Sequence, residues 1–140
     1  MNYVTETVAL THHAALAMLA AAAKRAEEIG QPQCIVVVDA SGETLGELRM
    51  TGAKFLSRKS ALTKARTAAS IAGPTTAVPE AMRAGLAAAT GGGVTGLGGG
   101  LPVFVRGHLV GGIGVGSGTG EQDIDVGQAA IAAIGASSEK

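Results

Sequence analysis

Between Arg49 and Arg66 the chain carries six basic side chains, Arg49, Lys54, Arg58, Lys59, Lys64 and Arg66, and no acid occurs between Glu47 and Glu80. The 140 residues have a formal net charge of zero, so this local excess marks a candidate site for an anionic ligand such as a carboxylate. Helical spacing puts Lys64 on a different face from Arg58 and Arg66, and the six cannot all converge. Arg49 at a strand end and Lys64 on a helix are the candidate ligand-binding cations, and Arg58, Lys59 and Arg66 read as a solvated helix face. Glu121 and Asp123 open the last helical segment, where acids favour the positive end of the helix dipole. If that turn borders the cavity, one carboxylate can act as general acid or base beside Lys64, which makes Lys64, Glu121 and Asp123 the catalytic candidates. Gly98, Gly99 and Gly100 precede an apolar run and can present backbone N–H groups to an anion; tight packing between subunits is the plainer reading.

Other chemistries find less support. There is no GxxxxGK[ST] phosphate loop, no HExxH or CxxC metal spacing, and no Ser-His-Asp order, so no metal site is expected. His12 and His13 begin the first helix, and His108 follows the last hairpin turn. One helix-borne imidazole can serve as an axial haem ligand; a partly exposed polar residue is the bland alternative. Cys34 is the only cysteine, which rules out an internal disulfide, and it begins an apolar strand where a thiol is inert filling.

The elements that must position these groups follow from periodicity. Thr11 can cap a helix running to about Ile29, with Leu16, Leu19, Ala23 and Ala26 as its apolar repeat and Gly30 and Pro32 stopping it. CIVVVDASGETLGELRM reads as a hairpin with a central strand Cys34 to Val38 and a more exposed strand to about Met50. Ser57 can cap a helix to about Ala69 with the stripe Ala61, Leu62, Ala65 and Ala68, ended by Gly73-Pro74. Pro79 suits the first turn of a third helix reaching Ala89. LPVFV and HLVGGIGVG are strands joined at Arg106-Gly107, and EQDIDVGQAAIAAIG is a last helix. Four helices and at least four strands joined largely as hairpins predict an α+β domain, a mostly antiparallel sheet with packed helices. The length suits one domain over residues 1–140. Hydrophobic residues make up 46% but aromatics only 2%, so the core must be built of small aliphatic side chains. Neutral charge gives no footprint for nucleic acid or an anionic membrane surface, no apolar run approaches a spanning helix, and the start lacks a signal-peptide pattern. A soluble cytoplasmic protein is the expectation.

Taken in order, Val37 to Ala53 (VVDASGETLGELRMTGA), Lys64 to Ala68 (KARTA), Gly99 to Val103 (GGLPV), Gly107 to Gly118 and Gln122 to Gly127 resemble the GlcG/HbpS family, which includes the C-terminal domain of PduO-type proteins. The similarity spans nearly the whole chain. It implies a GlcG/HbpS-like α/β sandwich that assembles into homo-oligomers, haem binding or breakdown, and an association with catabolic enzymes. It also implies a first-helix histidine as axial haem ligand, for which His13 is the matching position. Departures from the family pattern are Thr51 for an Asp, Arg106 for an Asp, and a shifted glycine at Gly116-Ser117-Gly118. Loss of the Asp near Arg49 leaves the basic cluster less compensated. Only Tyr3, Phe55 and Phe104 are aromatic, which counts against a deep haem pocket within one chain. The leading expectation is a homo-oligomer binding haem or another planar anionic small molecule, with Arg49 and Lys64 pairing its carboxylates. A cofactor-free enzyme of small organic-acid or aromatic catabolism is the alternative, acting by proton transfer, isomerisation or elimination; Lys64→Ala would then remove turnover with the fold intact. The third reading is an accessory structural subunit whose glycine-rich face packs on a partner enzyme.

Overall fold

A computed structural model describes all 140 residues. Four antiparallel strands, β1 (Cys34–Asp39), β2 (Thr44–Arg49), β3 (Gly100–Val105) and β4 (His108–Gly116), form one sheet in the order β2-β1-β4-β3. Helices α1 (His12–Glu28) and α4 (Gly120–Ala133) cover one face, and α2 (Ser57–Ile71) covers the other. The expected α+β architecture is therefore a three-layer sandwich.

The two faces follow from strand alternation. Ile35, Val37, Leu101, Val103, Ile113 and Val115 point toward α1 and α4, while Cys34, Val36 and Val38 meet Ala61, Ala65 and Ala69 of α2. The α2 face of β4 is glycine: a Cβ at Gly112 would collide with the Ala65 carbonyl, at Gly114 with the Ala61 carbonyl, and at Gly116 with Ser60 and Ser57. Two residues along a strand advance about 6.8 Å and four along a helix about 6 Å. One glycine therefore matches each turn of α2, and the helix backbone rests directly on the sheet. Much of the glycine-rich segment thus serves an approach within the chain, where the sequence suggested a ligand or a second subunit.

Boundaries differ from expectation where caps do. Ser57 caps nothing; it is the first residue of α2, whose N-cap Leu56 makes no side-chain bond, and the helix continues to Ile71 because Ala72 takes the left-handed terminal position at φ 52°. The third helix begins late, since Thr75–Ala77 and Glu80–Met82 are single 3₁₀ turns and α3 is only Arg83–Ala89. Of the expected α1 repeat only Ala26 is fully buried; the rest of the buried face is one residue earlier, at Ala15, Met18 and Ala22, leaving Leu16 63% exposed. Gly46 of β2 lies under Ala15 and Leu19, and small residues toward the sheet let α1 approach it closely.

A bidentate pair ties the two helices of that layer: Arg25 Nε donates to Asp125 Oδ1 at 3.0 Å and a terminal nitrogen to Oδ2 at 2.9 Å. The guanidinium holds the Asp125 carboxyl below its usual range. A lowered folded-state value means stabilisation that is present above the unfolded carboxylate range and lost as pH falls through the folded value. Asp125→Asn is expected to lower the melting temperature slightly at pH 7, and the deficit should shrink on acidification below about pH 4. A deficit independent of pH would reject the ionic contribution.

Candidate functional site

Lys64 and Asp123 start on opposite faces of the sheet, yet their side chains meet. The Lys64 ammonium donates to Asp123 Oδ2 at 3.0 Å and to the Val115 carbonyl at 2.8 Å, with the two side chains 5% and 2% exposed. It passes between β4 and the chain entering β3, where Gly99, at φ 122°, supplies no side chain: a Cβ there would lie 2.6 Å from the Val115 oxygen and 3.1 Å from Nζ. Asp123 sits in the first turn of α4, fixed by a capping box in which Thr119 and Gln122 bond reciprocally. Its Oδ1 also accepts the Gly118 N–H at 3.0 Å, an N–H shared with Oε1 of the buried Gln33. Burial pushes the Asp123 carboxyl up, and the Lys64 and Gly118 hydrogen bonds pull it back. The pair satisfies itself inside the protein. Glu121, two residues earlier, faces solvent.

The other expected partners lie apart. Arg49 ends β2 and borders an open cavity with Glu27, Gln31 and Met50; Lys64 is not among the lining residues. The Gly100 N–H donates to Thr75 Oγ1, and the absent Gly100 side chain makes room for the Lys64 carbonyl and Thr75. Gly99 accepts from the Val115 N–H through its carbonyl, and Gly98 packs by Gly120 and Ile124. Beside this loop Ser117 holds φ 102°, where L residues are strained; its Oγ accepts the Lys54 N–H and its carbonyl the Gln31 amide. Burial raises the Cys34 thiol above its ordinary value, keeping it protonated and inert at neutral pH.

His12 and His13 are both exposed at the start of α1, with ring centroids 4.1 Å apart. The Arg49 cavity is lined by Ala23, Ala26 and Glu27, about 15–21 Å along α1 from His13 at 1.5 Å of rise per residue. What accompanies His13 is a feature that sequence reasoning missed: Leu16, Ala17 and Ala20, three, four and seven residues on, are exposed with it on one stripe. The signal was the all-round apolar character of α1, an excess over what one buried face requires.

An antiparallel four-stranded sheet with helices packed on both faces defines the class of fold. The chain belongs to the HbpS-like family: the family described as haem degrading protein HbpS-like matches residues 10–132. It is 36% identical over 135 residues to the corrinoid adenosyltransferase PduO of Salmonella typhimurium, covering 93% of this chain and 40% of that protein. The chain thus spans about two fifths of that relative. Among solved structures, a PduOC:heme complex superposes with a TM-score of 0.88 at 33% identity, covering 95% of this chain and all of the other. The Klebsiella pneumoniae protein ORFY superposes at 0.92 with 34% identity, covering 96% and 97% of the two chains.

Proposed function

We propose that this protein binds haem through His13, as part of a homo-oligomer. The observation that carries the reading is the α1 stripe: an exposed imidazole followed by Leu16, Ala17 and Ala20 offers a metal ligand beside small apolar side chains on which a flat macrocycle can rest. The haem complex of a structural relative supports it. His13 is favoured over His12 because the positions three and seven residues after His12, Ala15 and Leu19, turn toward the protein. The stripe covers only one face of a porphyrin, and Tyr3 and Phe55 are exposed while Phe104 is buried in the sheet. A second copy of the chain supplies the other face in this reading. Haem, when bound, would supply a redox-active iron; His13 would hold it, with Leu16, Ala17 and Ala20 as the apolar side chains beside it.

Hemin titration followed by absorbance, with native mass read on the same samples, tests this. Wild type and His12→Ala should give a saturable Soret shift accompanied by assembly, and His13→Ala should lose it with an unchanged circular dichroism spectrum. No shift at stoichiometric hemin, or an equal shift in His13→Ala, would overturn the reading.

A further inference from the structure

On the α2 side of the sheet, away from α1, a cavity of about 370 Å³ opens between the β1–β2 turn, the last turns of α2 and the glycine loop after α3. Its one charged lining residue is Arg66. This side chain is exposed and makes no ion pair or side-chain hydrogen bond in the chain, unlike Arg25 and Arg58. It lies along the turn at Gly42: a Cβ at that position, where φ is 83°, would sit 3.4 Å from Arg66 Nε, so the glycine allows the guanidinium to lie against the wall. Two acids flank that wall in sequence, Asp39 and Glu43; Asp39 spends its Oδ1 on the Ser41 and Glu43 N–H groups of the turn, and neither acid lines the cavity or pairs with Arg66. Around Arg66 stand Ser41 and Ser70, both exposed and neither hydroxyl engaged, with Ile71 and Val94 as small apolar walls.

A lone guanidinium recognises one carboxylate through two parallel N–H bonds. Two free hydroxyls beside it donate or accept as required, which matches a ligand bearing alcohol groups. The size suits a small molecule. The geometry points to a second binding site, centred on Arg66, for a short hydroxylated carboxylic acid. Its carboxylate pairs with Arg66, and its hydroxyls bond Ser41 and Ser70. This site is separate from the haem face, since α1 and α2 lie on opposite sides of the sheet.

Isothermal titration of the full chain with glycerate and gluconate, against propionate and inorganic phosphate, tests the assignment. At least one hydroxy acid should bind saturably and more tightly than propionate or phosphate. Arg66→Gln should weaken it tenfold or more, and Ser70→Ala by a smaller factor, with melting temperatures unchanged because both side chains are exposed. Equal binding of phosphate, equal binding of propionate, or binding insensitive to Arg66→Gln would overturn the proposal, as would no heat with any hydroxy acid at millimolar concentration.

Discussion

Asp123→Ala is expected to cost about 3–5 kcal/mol of folding stability, because it leaves the Lys64 ammonium buried without its counter-charge. For a chain of this size that corresponds to a fall in melting temperature on the order of 10 °C. The ammonium cannot escape to water: it is enclosed by the Val115 carbonyl and the glycine at position 99. Lys64→Ala should be nearly as damaging, since it strands a carboxylate whose remaining donor is the Gly118 N–H. The double change Lys64→Met with Asp123→Leu, which removes both charges and keeps the volume, should recover most of the loss. Urea unfolding of the four proteins measures this cycle. If either single variant lost less than about 1 kcal/mol, the value of an exposed pair, the closed geometry would be refuted. The expectation that Lys64→Ala removes turnover with an intact fold is read against the same unfolding curves. A loss of activity in that variant would report catalysis only where the fold is retained.

Gly114→Ala should have an effect of comparable size, about 3 kcal/mol, from overpacking. Most overpacked cores yield by moving a side chain, but here the obstruction is the Ala61 carbonyl and the Ala65 nitrogen, so relief requires lifting α2 off the sheet. Doing so would also loosen Ala61, Ala65 and Ala69 from Val36 and Val38. Gly85→Ala provides the opposite sign. It lies inside α3 with nothing within 4 Å of an added Cβ, and alanine there should stabilise by about 0.5–1 kcal/mol. Thermal melts of both variants decide the matter, and a harmless Gly114→Ala would mean that α2 does not sit where described.

How much of this was legible beforehand depended on how local the cause was. Thr11, the Arg106-Gly107 turn and the short continuous apolar runs of β1, β3 and β4 act within a few residues, and those elements lie where the pattern put them. The α1 face was misjudged because leucine outranks alanine in hydropathy, whereas a close-packed sheet contact selects for small size. The segment after Pro74 lacks an apolar stripe and strong caps, so nothing in it distinguished one helix from two short turns and a shorter helix. At the site, residue types alone suggested a lysine beside an acid of the last helix. That the two meet through the sheet, and that Arg49 stays apart, depends on the order β2-β1-β4-β3, a non-local fact.

The lysine threaded through the sheet also bears on when the native state is completed. Its partner is 59 residues away, and the frame around it requires β4, the entry to β3 and the first turn of α4 to be in place together. A contact that needs these separate segments in place together is expected to be weakly formed in the folding transition state. Breaking it therefore hastens unfolding while refolding keeps its pace. The pair sets how long a molecule stays folded once assembled, and so how seldom its interior opens to a protease.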